Sequence, residues 1–238
     1  MAADITFLEK FLPTQPILSM HFKGEGDALI AALYGATLHY GGAGSPLQEF
    51  HVQAPPGFPP ESNMSNVALL QFLRFLVALK RPQRVLEVGT FLGISAMAMA
   101  THLPEGGRIV TLEKFGLFAD HARANVEANG LADRVHVIVG DADEVIRAGL
   151  PNPAYDMVFL DGNKEKYADY FRLVDPIIPE GGVLVVDDVF FQGDALNHEP
   201  VTAKGQGAKA FLEAARVHDG YVKVVLPLGD GVMLLVKR

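Results

Sequence analysis

The chain has 238 residues, 49% of them apolar, which suits one α/β domain with a sizeable core and room for an N-terminal segment. Twenty Lys and Arg stand against 28 Asp and Glu, a net charge of −8 that argues against a broad nucleic-acid face, and the absence of cysteine excludes disulfides, thiolate zinc sites and cysteine nucleophiles. No apolar run is long enough to span a bilayer and the first residues carry acids rather than a basic leader, so a cytoplasmic chain without membrane contact is expected.

Residues 4–12 and 27–40 carry helical apolar spacing, and the Gly- and Pro-rich stretches 41–46 and 54–60 interrupt it. Residues 1–61 therefore read as a helical and loop extension, and 62–238 as the main domain. A helix is predicted over 64–80, with Leu69, Leu70, Phe72, Leu73, Leu76 and Leu79 as its apolar stripe. From residue 83 strands and helices alternate. Strands are predicted at 84–88, 108–113, 134–139, 155–160 and 182–187, with helices at 93–102, 116–129, 142–149 and 164–174. A helix near 206–217 then precedes two strands, 221–226 and 232–236, whose short Pro227-Leu-Gly-Asp-Gly link makes them antiparallel. The fold class is α/β: a doubly wound, Rossmann-like, seven-stranded and mostly parallel sheet of order 3-2-1-4-5-7-6, its last strand antiparallel.

The first strand ends in Glu87-Val-Gly-Thr-Phe-Leu-Gly-Ile-Ser. Gly89 and Gly93 are spaced G-x-x-x-G, not the G-x-G-x-x-G that seats a pyrophosphate. Glu87 would repel a pyrophosphate and attract an ammonium or sulfonium ligand. Glu113, 24 residues after Gly89, ends the second strand, where an acid can accept both hydroxyls of an adenosine ribose. A glycine turn alone also fits ordinary helix–strand packing; with both glutamates it points to S-adenosylmethionine. Asp141 and Ala142 follow the third strand and can flank the adenine. Asp141 also reads as a helix N-cap with Glu144 in a capping box, and the two roles can coexist.

Asp161 ends the fourth strand, and Asp187-Asp188 end the fifth. In this strand order Asp161 and Asp187 converge beside the glycine turn, where acidic oxygens with open positions suit Mg²⁺. Neighbouring strand residues face opposite ways, so Asp188 can join only if the chain turns there. Caps of turns are the other reading of these acids. Lys164 is either a solvated surface lysine or, beside a cation, an amine poised as a general base. Tyr167, Phe190 and Phe191 can wall an aromatic acceptor, with core packing or a lid equally open for each. The eight histidines have no metal-ligand spacing, His198 being an exception only in that its loop can overhang the site.

These motifs resemble the cation- and S-adenosylmethionine-dependent O-methyltransferases related to catechol and caffeoyl-coenzyme A O-methyltransferases. The resemblance covers about residues 62–238. It rests on Val85-Leu-Glu-Val-Gly-Thr-Phe-Leu-Gly-Ile-Ser, Phe159-Leu-Asp-Gly-Asn-Lys-Glu-Lys-Tyr, Gly181-Gly-Val-Leu-Val-Val-Asp-Asp-Val-Phe-Phe-Gln-Gly and Leu226-Pro-Leu-Gly-Asp-Gly. It implies that Met64, Glu87, Gly89, Thr90, Phe91, Ser95, Glu113, Asp141, Ala142 and Asp161 bind the methyl donor. It further implies that Asp161, Asp187 and Asp188 hold Mg²⁺ (or Mn²⁺ or Ca²⁺), that Lys164 is the catalytic base, and that Met64, Lys164, Tyr167 and Phe191 meet the acceptor. A homodimer is implied as well. The family's third metal ligand is usually Asn, where this chain has Asp188, and residues 1–61 depart from its pattern.

The expected activity is transfer of a methyl group to a hydroxyl of a catechol-like vicinal diol. The same chemistry on a natural-product sugar or a hydroxylated tRNA base is an alternative, as is a donor-binding module without catalysis. The acidic net charge weighs against RNA.

Overall fold

A computed structural model describes residues 46–60 and 64–238. The helical spacings at 4–12 and 27–40 lie outside the described residues. Seven strands form one sheet of order β3-β2-β1-β4-β5-β7-β6: β1 (Arg84–Val88), β2 (Arg108–Glu113), β3 (Val135–Val139), β4 (Met157–Leu160), β5 (Val183–Val186), β6 (Tyr221–Leu226) and β7 (Val232–Lys237). β7 runs antiparallel to both β5 and β6, and the other pairs are parallel, as the sequence predicts. Every residue of β4 and β5 is buried, the signature of strands covered by helices on both faces.

Around the sheet lie α1 (Pro46–Glu49), α2 (Val67–Lys80), α3 (Ile94–Ala100), α4 (Gly116–Ala128), α5 (Ala142–Ala148), α6 (Tyr167–Val174) and α7 (Ala203–Val217). Alternate strand residues feed two cores. Val85, Ile109, Phe159 and Val185 pack with α2, α3 and α4; Leu86, Val110, Leu160 and Val186 pack with α6 and α7. Residues 46–60 dock on the first of these faces. Phe50 is buried there, Glu49 pairs with the buried Arg74, and the backbone of His51 and Gln53 bonds the side chains of Asn129 and Asn125. Among the described residues no helix is long and apolar enough to cross a membrane.

The structure moves several element ends. α2 starts at Val67, because the Asn66 side chain accepts the Leu69 amide as an N-cap. Leu79 is 68% exposed and so falls outside that helix's buried stripe. The predicted 164–174 helix divides into a 3₁₀ turn, Lys164–Lys166, and α6. α7 begins three residues earlier than its composition suggests. Thr202 caps it by accepting the Gly205 amide, and Gly205 and Gly207 lie within the helix despite their low propensity.

Register is what builds the site. Leu160 lies opposite Val88 on one side and Val186 on the other, so β1, β4 and β5 all end at one level. The residues that follow stay in step, the Asp161 amide bonding the Val88 carbonyl at 2.9 Å and the Asp187 amide bonding the Leu160 carbonyl at 3.0 Å.

Candidate active site

At that level Gly89 takes φ +102°, and a Cβ there would stand 2.7 Å from the Asp161 carbonyl carbon and 2.9 Å from the Gly162 nitrogen. Glycine is what lets the β1 turn lie against the β4 turn. Phe91 follows with φ +49°, a left-handed conformation for which its own side chain offers no advantage. The compensation comes from Glu113, whose two carboxylate oxygens accept the Phe91 amide at 2.8 Å and the Phe115 amide at 2.9 Å. Glu113 is thereby locked at the end of β2 on the cavity wall.

Glu87 is placed differently from expectation. It shares the face of Val85, under α3, and is fully buried rather than open to a ligand. Ser95 donates to one of its oxygens at 2.6 Å, and Thr111, itself 2.6 Å from the Thr90 hydroxyl, donates to the other. Burial pushes its pKa up to about 7, against the opposing pull of the two hydroxyl donors. Glu87 itself does not line the cavity, whereas the Ser95 hydroxyl that donates to it does.

Asp141 takes the capping role and stands on the cavity wall as well. It caps α5 by accepting the Asp143 amide at 3.1 Å, one residue short of the capping-box position. Lys114 reaches it at 2.9 Å and holds its carboxyl below the usual range.

The acids after β4 and β5 converge: one oxygen from each of Asp161, Asp187 and Asp188 lies within 4.8 Å of the others. The turn that Asp188 needed is present, since its φ of +51° bends the chain immediately past the strand, and its amide is tied to the Asp187 carboxylate at 2.8 Å. Phe191 and Gln192 are also left-handed, with φ +42° and +55°. This strained segment is clamped by the β6–β7 turn. The amides of Val189 and Phe190 bond the carbonyls of Gly231 and Asp230 at 3.0 Å each, and the Asp230 carboxylate accepts the Gln192 amide.

Lys164 completes the cluster, its ammonium 2.7 Å from Asp161 and 3.1 Å from Asp188; Ser65 donates to the second Asp161 oxygen at 3.2 Å. Burial works against the ammonium, but the charges of Asp161 and Asp188 outweigh it and raise its pKa well above the usual lysine value. Burial likewise raises Asp161 and Asp187, the latter also through repulsion by Asp161 and Asp188. With all four groups ionised, three carboxylates less one ammonium leave two net negative charges, the balance that a divalent cation offsets. All three acids can offer oxygen ligands to such an ion.

Both clusters open into one cavity of about 740 Å³. Of the residues singled out from the sequence, Met64, Gly89, Thr90, Phe91, Ser95, Glu113, Asp141, Ala142, Asp161, Lys164, Asp187, Asp188 and Phe191 line it. Two do not. Glu87 lies beneath the wall, and Tyr167 is fully buried, its ring edge-on to Phe211 at 6.1 Å and its hydroxyl 3.5 Å from the Leu160 carbonyl. Tyr167 therefore supports Lys164 from the core instead of facing an acceptor. Phe190 points away and packs against Gly231, and the exposed His198 is outside the cavity wall.

Sequence reasoning missed Ser65, Asn66, Lys114, Phe118, Gln192 and Lys204, all of which line the cavity. Only two left a signal. Asn66 is an N-cap type just before an apolar run, and Lys114 sits beside Glu113 with Asp141 just past the neighbouring strand end.

The family model described as O-methyltransferase matches residues 47–238. A catechol O-methyltransferase of Niastella koreensis is 32% identical over 160 residues, covering 66% of this chain and 72% of that protein. One from Mycobacterium tuberculosis is 35% identical over 150 residues, covering 63% and 67%. Among solved structures, the O-methyltransferase from Bacillus cereus in complex with SAH superposes with a TM-score of 0.71 at 28% identity, covering 74% of this chain and 84% of that one. TomG from Streptomyces achromogenes, in complex with SAM, gives 0.69 at 29% identity, covering 74% and 82%. With a cavity framed by Glu113 and Asp141 at one end and by three aspartates and a lysine at the other, on a fold and sequence shared with these proteins, the chain belongs to the O-methyltransferase family.

Proposed function

We propose that the chain transfers a methyl group from S-adenosylmethionine to one hydroxyl of a catechol-like vicinal diol, and that it needs a divalent cation, Mg²⁺ by preference. The observation that carries this reading is the two-ended cavity: on one wall the Glu113 carboxylate, held by two backbone amides, and on the other the converging carboxylates of Asp161, Asp187 and Asp188 with the Lys164 ammonium among them. The two relatives named catechol O-methyltransferase and the structures solved with SAM and SAH support the choice of donor and acceptor class.

On this reading Glu113 accepts the ribose hydroxyls with the lone pairs its backbone partners leave free, Asp141 and Ala142 border the adenine, and the Ser95 hydroxyl accepts from the donor's ammonium. Asp161, Asp187 and Asp188 would hold the cation, which when bound neutralises the carboxylates and polarises the acceptor oxygens. With those carboxylates engaged, the charges that keep Lys164 protonated are offset, and its Nζ can take the hydroxyl proton. The oxygen then bonds to the methyl carbon as the carbon–sulfur bond breaks, leaving the thioether product. Met64 and Phe191 exclude water from the reacting atoms, and positioning of the two substrates supplies most of the acceleration. An assay of thioether release with catechol, a sugar diol and a hydroxylated tRNA base as competing acceptors tests the assignment. Catechol should be the preferred acceptor. Equal or better turnover of the sugar or the tRNA would overturn it.

A further inference from the structure

Lys204 is a cation of the cavity wall that the chemistry above leaves unused. The other two lysines there are neutralised, Lys114 by Asp141 at 2.9 Å and Lys164 by Asp161 and Asp188. Lys204 has no hydrogen-bond or ion-pair partner among the described residues; its Nζ lies 5.6 Å from the centre of the Phe191 ring. That ring belongs to the segment directly after the metal-binding acids, the Phe191 amide bonding the Asp188 carbonyl at 3.1 Å. Lys204 is thus reached from the acid cluster across one aromatic face, at the acceptor end.

Its backbone is held firmly. The buried Asp194 accepts the Val201 and Thr202 amides at 2.9 Å each and the Thr202 hydroxyl at 2.6 Å, which fixes the first turn of α7, where Lys204 is the second residue. Phe191 is fixed in turn by its left-handed backbone between Asp188 and Asp230. Of the three lysines on the cavity wall, Lys204 is the one whose ammonium no carboxylate of the described residues pairs with.

We propose that Lys204 is a specificity-determining residue that selects aromatic diols bearing a carboxylate. The ring lies along Phe191 while its hydroxyls face Lys164, and the carboxylate pairs with the Lys204 ammonium. This rests on the diol-methylating reading of the site. The test is kcat/KM for 3,4-dihydroxybenzoate, neutral catechol and the cationic catechol dopamine, in the wild type and in Lys204→Glu and Lys204→Arg. The wild type should favour the carboxylate over dopamine. Lys204→Glu should lower the benzoate-to-dopamine ratio at least tenfold, and Lys204→Arg should retain most of it. If the diols are methylated but the ratio is the same in Lys204→Glu, the proposal is overturned while the reading of the site stands. If no diol is methylated by the wild type, that reading fails, and the role of Lys204 fails with it.

Discussion

Lys164 Nζ lies 2.7 Å from Asp161 Oδ1, and the two side chains are only 12% and 17% exposed. An ion pair this enclosed holds the lysine as an ammonium until something else claims the carboxylate. The base role therefore predicts that charge alone is not enough. Lys164→Ala and Lys164→Arg should both lower kcat by a hundredfold or more, since arginine keeps the ion pair but cannot accept a proton. An arginine variant with most of the wild-type rate would mean that Lys164 only positions Asp161.

The 3₁₀ turn that carries Lys164 is seated against α7 at Gly207, where a Cβ would meet the Lys164 carbonyl and come within 2.5 Å of Glu165 Cα. Both contacts are backbone, which cannot rotate away. Gly207→Ala should destabilise the protein by about 1–3 kcal/mol in urea unfolding and, by shifting Lys164, lower kcat more than it changes the donor KM. Wild-type stability and turnover in this variant would refute the packing argument.

Glu87 gives the ligand-free enzyme a pH signature. Its pKa rises from 4.5 in the unfolded chain to about 7 in the fold, so the native state holds the proton more tightly between those values. The stability this contributes is complete below pH 4.5 and is lost as pH rises through about 7. Relative to Glu87→Gln, which keeps a neutral side chain, the wild type should lose about 3 kcal/mol between pH 4.5 and 8. Unfolding midpoints of the two proteins across that range would decide it; parallel curves would contradict the buried neutral carboxyl.

On the proposed reading Glu113 combines a structural and a binding task, so its two substitutions should separate. Glu113→Ala frees the Phe91 and Phe115 amides and removes the ribose acceptor; donor-product affinity measured by calorimetry should fall about a hundredfold. Glu113→Gln keeps one carbonyl oxygen and should fall less. Equal, small losses would remove Glu113 from the donor site.

Sheet order and most elements were legible because parallel strands buried on both faces read as unbroken apolar runs, as at Met157–Leu160 and Val183–Val186. The acid cluster was legible for a related reason: residues that end neighbouring strands must meet. What escaped depended on direction or on distant chain. Tyr167 follows Lys164 by one turn and lies beneath its ammonium, but its ring packs on Phe211 in the core rather than on the cavity wall, a contact with distant chain. Glu87 has the right neighbours, but strand alternation puts it under α3, behind Ser95. Lys204 and Gln192 reach the cavity only through bonds made by Asp194 and Asp230, and no local pattern announces those. Asp188 was readable as a ligand only on condition of a turn, and its left-handed backbone supplies one.

The most direct test of the account is catechol turnover with S-adenosylmethionine after EDTA treatment, followed by addition of Mg²⁺ and repeated with Asp187→Asn. Chelation should abolish methylation, Mg²⁺ should restore it in the wild type, and Asp187→Asn should need much more Mg²⁺ or fail to recover. Full turnover in EDTA would contradict the central claim that Asp161, Asp187 and Asp188 serve a divalent cation.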